Sequence, residues 1–306
     1  MQSDSRRLSI LSAGEIDDLY QLPQFTENDR HLYFDLSAEE CKAVQSIHTF
    51  SVSVYLILQL GYFKAKRQFF VFEQDTTVLE DLRFIMNQHF PNKEFTALKA
   101  PSRPTRTEQQ RTILQLLNYR LCDGDAKVDL KSKAQRVAML STQPIYIFRE
   151  LTQHLAQQRI VAPSYRYMQE MIGQVVTNER ARVSHLLSKS MTSTVDNQLI
   201  ELLHAGSGTF RISAIKHEAK DFSYKELRCE VARRQFFQPL HEFAQNFLTT
   251  AGISNESGKY YASLVKFYTT YKLQRMAIGT ARLYLLCFVY HRFRQINDNL
   301  IEAFIH

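Results

Sequence analysis

Ser12 with Glu15, Ser37 with Glu40 and Ser223 with Glu226 each spell Ser-x-x-Glu. In that spacing the hydroxyl and the carboxylate each accept a hydrogen bond from an otherwise unpaired amide at a helix start. Thr26 with Asp29 is a weaker version of the same signal. Apolar residues follow at helical spacing: Cys41, Val44, Ile47 and His48, and again Val78, Leu79, Leu82, Ile85 and Met86 after a Thr76–Thr77 start. Thr107 is read as the cap of a helix carrying Ile113, Leu114, Leu116 and Leu117 and ending near Asn118. A longer helix is read over 130–155, disturbed at Pro144. Another of about 25 residues runs to Ser190, and one opened by Ser223 runs towards Thr250, where Ala251-Gly252 ends it. Residues 254–258 read as a polar turn, and Gly279-Thr280 as the break between the last two helices. With only 9 Gly and 7 Pro, long helices are favoured over a loop-rich β architecture. Only Phe69-Phe70-Val71-Phe72 looks like a strand, and four residues do not make a sheet. The fold class expected is all-α, built as one or more multi-helix bundles.

At 306 residues the chain can bury a full core and is expected to form two domains. The best boundary is the loop Ile160-Val161-Ala162-Pro163-Ser164, giving domains over 1–162 and 163–306. Its 44% apolar and 23% charged residues describe an ordinary soluble protein. Cys41, Cys122, Cys229 and Cys287 form no Cys-x-x-Cys pair and read as four buried, reduced thiols, hence a cytoplasmic setting. The apolar runs at 52–60 and 283–290 are too short to span a bilayer. No leader is expected, because residues 1–7 are polar.

The net charge of +7 is unevenly spread. Residues 1–48 hold 4 Lys/Arg against 9 Asp/Glu, residues 49–150 hold 15 against 10, and residues 151–306 hold 19 against 12. The first stretch is therefore acidic and an unsuitable polyanion surface, while the rest is basic. Residues 257–297 carry seven Lys/Arg and no acid. Either a polyanion partner or a solvated basic face on core-packed helices accounts for that run.

Two segments are candidates for gripping nucleic acid. Gly61-Tyr62-Phe63-Lys64-Ala65-Lys66-Arg67-Gln68-Phe69-Phe70 interleaves cations with aromatics that could stack on bases, although such aromatics are more often core with the cations reaching solvent. Residues 93–120, KEFTALKAPSRPTRTEQQRTILQLLNYR, read as a short helix over 93–99, a Pro- and Arg-rich loop, and a helix from Thr107. With the preceding helix that is the content of a helix-turn-helix-like unit. Arg103 and Arg106 would lie on the loop entering the last helix. Catalytic constellations are missing from the sequence. His241-Glu242 lacks the second His of a zinc-protease helix, and Gly206-Ser207-Gly208 lacks the Lys-Ser/Thr of a phosphate loop. His291-Arg292-Phe293-Arg294 fits the His-x-x-Arg of tyrosine recombinases, but Tyr290 is the last tyrosine and no nucleophile follows.

The strings LSAGEIDDLYQLP, LQLGYFKAKRQFF and YLLCFVYHRFRQINDNLIEAFI resemble the N-terminal region of Tn-three family replicative transposases. The resemblance covers essentially the whole chain, most strongly residues 6–70 and 282–305, and includes a Tyr-Arg pair at Tyr119-Arg120. Many relatives carry a glycine before the first basic residue of the run, where this chain has Lys64-Ala65. The resemblance implies recognition of transposon terminal inverted repeats, as double-stranded DNA, by helical units. It also implies that the Asp-Asp-Glu carboxylates holding Mg²⁺ lie beyond this chain, so no cofactor, no metal ligand and no catalysis are expected of residues 1–306. The DNA contacts expected are Lys64, Lys66, Arg67, Lys99, Arg103, Arg106, Arg111 and Arg120 in the first domain, and Lys216, Lys220, Arg233 and Arg234 in the second. Five or six neutralised phosphates would give a log–log salt slope of about −5. The competing reading is an accessory or inhibitory protein that pairs with a full-length transposase or with itself through the acidic N-terminal helices. A third, an independent nuclease or recombinase, predicts Mg²⁺-dependent cleavage, which is not expected.

Overall fold

The computed structural model describes residues 8–71, 76–93, 100–204, 212–217 and 223–305. Among these the protein is all-α, with fifteen helices and, in place of any sheet, one isolated parallel bridge between Arg120 and Ile160. No helix among the described residues is long and apolar enough to cross a membrane. The chain forms two compact units, one of residues 1–131 and 149–170, the other of residues 132–148 and 171–306. The sequence-derived cut at 162/163 falls just before one long helix, whereas the units take alternate stretches of the chain.

The first unit starts with three short helices, α1 (Ala13–Tyr20), α2 (Glu27–Phe34) and α3 (Ala38–Gln45). Ser12, Thr26 and Ser37 cap them, and each cap is a complete capping box. Thr26 with Asp29 is therefore as full a cap as the two Ser-Glu pairs. These helices surround α4 (Phe50–Lys66), which is buried without interruption from Ser53 to Phe63. A helix apolar on every side belongs at the centre of its unit, and α4 packs against α2, α3, α5 (Thr76–His89) and α6 (Arg103–Leu117). It ends at Arg67, which turns to a left-handed φ of 55° while its amide still donates to the Phe63 carbonyl at 2.8 Å. At Gly61 the Phe34 ring of α2 lies against the α4 backbone: a Cβ there would lie 2.4 Å from the Cδ1 and Cε1 atoms of Phe34.

One carboxylate ties α2, α4 and α5 together. Asp81 is fully buried. It accepts from the Tyr62 hydroxyl at 2.9 Å and from Arg30 Nε at 2.7 Å. Arg30 also reaches Glu80 at 2.8 Å. Burial pushes the Asp81 carboxyl up, against the opposing pull of Arg30 and Tyr62.

The chain continues through α7 (Gly124–Leu140), α8 (Pro144–Gln157) and α9 (Tyr165–Ser190). The single helix expected over 130–155 is thus two, because Pro144 opens α8, where its missing amide leaves no intrahelical bond unmade. In the second unit, α10 (Ser193–His204), α11 (Ile212–Ile215), α12 (Tyr224–Thr250), α13 (Asn255–Phe267) and α14 (Thr270–Gln274) lead into α15 (Ile278–Ile305). The last of these packs along both α12 and α13, with residues 283 to 289 almost wholly buried. Residues 254–258 are not a turn: Ser254 caps α13, its hydroxyl accepting from the Ser257 amide at 3.1 Å. Gly279-Thr280 lie in the first turn of α15 rather than ahead of it. Buried Glu230 on α12 holds Arg233 at 2.6 Å and Arg292 of α15 at 3.0 Å. Arg292 also donates to the His217 carbonyl at 3.0 Å.

Of the four cysteines, only Cys287 is buried, its thiol pushed up to about 12 by burial; the other three are half-buried, and all four are free. Phe69 to Val71 form no strand, and Phe72 lies outside the described residues, as do most of 93–99 and Gly206-Ser207-Gly208. The middle helix of the helix-turn-helix reading therefore lies outside what the structure describes. Gly61→Ala should destabilise the protein by about 1–3 kcal/mol through overpacking against Phe34, measured by urea unfolding followed by far-UV circular dichroism.

Candidate functional site

α6 starts one turn earlier than its sequence suggests. Ser102, not Thr107, is the N-cap: its hydroxyl accepts from the Thr105 amide at 3.4 Å, and Pro104 sits in the first turn, where an amide is not needed. Arg103 and Arg106 therefore stand on the helix itself, not on the loop before it. The first turn holds no acid, so the positive end of the helix dipole and two guanidinium groups act in one place.

Packing decides which face of α6 is free. Gln109 is buried and its Nε2 donates to the Val52 carbonyl of α4 at 2.9 Å, while Ile113 is buried beside it. Arg103, Arg106, Thr107 and Gln110 follow at i, i+3, i+4 and i+7, which puts them on one stripe. With Gln59, Phe70, Val71 and Gln109 that stripe lines an open cleft of about 360 Å³. A recess of about 30 Å³ adjoins it, lined by Tyr55, Gln59, Phe70, Ala100, Pro101, Arg106 and Gln109. Arg103 is exposed and Arg106 half-buried, and neither has an ion-pair partner among the described residues. Arg111 lies off the stripe, in an exposed pair with Glu108 at 3.3 Å, an arrangement that holds a side chain only weakly.

The other expected contacts are placed differently. Lys64 donates to Glu40 and to the Asp35 carbonyl, both at 2.8 Å, and Glu40 is the same buried carboxylate that completes the cap of α3. Lys66 donates to the Asp18 carbonyl. Arg67 lies over the Tyr119 ring at 5.6 Å, with Phe63 packed edge-on against that ring at 5.3 Å. The basic-aromatic run thus meets the Tyr119-Arg120 pair, through packing inside the unit. Arg120 is exposed, and its backbone pairs with 159–161: its amide donates to Arg159 at 3.0 Å and its carbonyl accepts from Val161 at 2.9 Å.

In the second unit Lys216 is half-buried and donates to the Tyr268 carbonyl at 2.5 Å, and burial lowers the pKa of its ammonium group. Arg233 is buried on Glu230; Arg234 donates to Asn297 at 2.7 Å and covers the Phe293 ring. Lys99 and Lys220 lie outside the described residues. The acid-free run 257–297 also finds acids and rings elsewhere: Arg282 pairs with Asp196 at 2.5 Å, Arg292 with Glu230, Lys259 with Glu256 at 3.1 Å, and Lys272 lies 4.0 Å from the Tyr268 ring centre. Among the described residues no group of three or more His, Cys, Asp or Glu could hold a metal ion.

Sequence reasoning passed over Gln59, Thr107 and Gln110 as site residues. Gln59 did carry a signal, as the one amide in the apolar run Val54-Tyr55-Leu56-Ile57-Leu58-Gln59-Leu60.

Residues 10–175, which contain the whole of α6 and its cleft, match the family described as "Domain of unknown function (DUF4158)". The chain belongs to the DUF4158 family. No curated protein matches it. The DUF4158 stretch holds α1 to α8 and the start of α9, hence nearly all of the first unit.

The divided roles of the cations can be measured through stability. Lys64→Met should cost about 1–3 kcal/mol, because it strands the buried Glu40 carboxylate. Arg106→Gln should stay within about 0.5 kcal/mol, as a side chain that holds nothing in the fold. Urea unfolding of the two variants beside the parent checks both.

Proposed function

We propose that the chain is the DNA-binding N-terminal part of a Tn-three family replicative transposase, holding a terminal inverted repeat as double-stranded DNA and performing no chemistry of its own. The observation that carries this reading is the α6 stripe, with Arg103 and Arg106 on an acid-free first turn and without an ion-pair partner among the described residues. Most of the other candidate cations are engaged inside their units, whereas these two are available to phosphate. Guanidinium groups suit that partner, since their fork of donors matches phosphate oxygens. Gln110 and Thr107 on the same stripe supply neutral hydrogen-bonding groups beside the charges, the combination that base edges and sugar contacts require. The family match over residues 10–175 takes in two of the three strings that resemble the N-terminal region of these transposases, LSAGEIDDLYQLP and LQLGYFKAKRQFF, while the third, at 284–305, lies outside it.

Relative to a count of charges in the sequence, the interface is smaller: of the exposed or half-exposed candidates, Arg103, Arg106, Arg111 and Arg120 are the ones whose side chains are not held by a buried acid, a carbonyl, an amide or a ring among the described residues. Four phosphate contacts give a log affinity against log salt slope of about −4, from roughly −0.9 per contact. Mobility shifts on an inverted-repeat duplex against scrambled DNA should show that slope, and Arg106→Gln should reduce its magnitude by about 1. Affinity insensitive to salt would contradict the proposal.

A further inference from the structure

Gln59 is the anomaly of the first unit. It sits in the middle of α4, is 6% exposed, and its Nε2 has no hydrogen-bond partner among the described residues. A buried donor left unpaired forfeits its hydration without replacement, a loss that an apolar side chain of the same shape would avoid. Its neighbours Leu58 and Leu60 show what this helix otherwise carries. The unsatisfied amide lines both the open cleft beside α6 and the recess that adjoins it, together with Arg106. A destabilising group at a cleft wall, next to an unpaired guanidinium, is the pattern of a donor kept for a ligand.

We infer that the cleft between α4 and α6 is a seat for a single phosphate group, with the Gln59 amide as its neutral donor and Arg106 and Arg103 as its charged ones. An anion is the complement of this cleft, because its lining among the described residues includes two cations and no acid. Phosphate fits better than carboxylate because three side chains from two helices converge as donors, and a phosphate offers more oxygens than a carboxylate's two. Phe70 and Val71 form an apolar flank to the same cleft, room for what the phosphate is attached to. The inference deepens the reading of α6 as a DNA face: it rests on that reading for the source of the phosphate, a strand backbone, though not for the site itself.

The test uses the whole chain and inorganic phosphate at constant ionic strength, read from the side-chain amide of Gln59 by nuclear magnetic resonance. Phosphate should move that amide in the parent. Arg106→Gln should weaken the response about tenfold, the loss of one charge-assisted hydrogen bond, while Arg111→Gln, which removes the same charge off the cleft, should leave it intact. Gln59→Met should bind phosphate at least as poorly as Arg106→Gln, by one-dimensional phosphorus shifts, yet melt at or above the parent temperature. An amide that does not respond to phosphate, or responds equally in Arg106→Gln, overturns the inference. Duplex binding then decides the source. If Gln59→Met weakens inverted-repeat binding about tenfold with an unchanged salt slope, the phosphate belongs to the DNA backbone. If phosphate titrates Gln59 but the parent binds no duplex, the seat stands for a free phosphate compound and the DNA reading falls.

Discussion

The first unit is organised by the removal of one carboxylate from water. Arg30 from α2 and Tyr62 from α4 both donate to the buried Asp81 carboxylate. Without them an ionised group would stand in a core formed by Phe34, Leu82, Ile85 and their neighbours, at a loss of several kcal/mol. This polar clamp fixes how α2, α4 and α5 meet, and Gly61 lets Phe34 come against α4 closely enough for it to form. Once α4 is held at the centre, α6 has one way to lie: Gln109 on the Val52 carbonyl, Ile113 in the core, and Arg103 and Arg106 turned out. The cleft is therefore a consequence of how α4 is buried, not a separate construction.

The second unit solves a similar problem with the opposite charge in excess. Glu230 takes two arginines, Arg233 and Arg292, into the core formed around α12 and α15. Buried arrangements of this kind specify which helix faces meet rather than adding greatly to stability. Arg292 is the one buried cation of the run 257–297, where Lys272, Arg275 and Arg294 instead lie over tyrosine rings.

Helix starts were the most legible part of the fold. Ser12, Ser37 and Ser223 cap where their spacing says they should, because a cap is a local bond between residues three apart. The long helix ending at Ser190 and the end of α6 at Asn118 were equally plain. The start of α6 was not, since Ser102 and Thr107 are both acceptable caps and only the packing of Gln109 and Ile113 chooses between them. The candidate site was legible as chemistry but not as partnership. Lys64 and Arg106 look alike in a sequence, yet Lys64 meets Glu40, 24 residues away, and Arg106 meets no acid among the described residues. Gln59 was hidden for the same reason: whether a buried amide is satisfied depends on a helix about fifty residues further along the chain.

On the proposed function, α6 presents its Arg103–Gln110 stripe to DNA. A photo-crosslinking residue placed at position 110, with a second placed at position 259 of α13 for comparison, tests it most directly against an inverted-repeat duplex. Crosslinks are expected from position 110 and none from position 259. Crosslinks confined to position 259, or absent from position 110 while the duplex is bound, would contradict it.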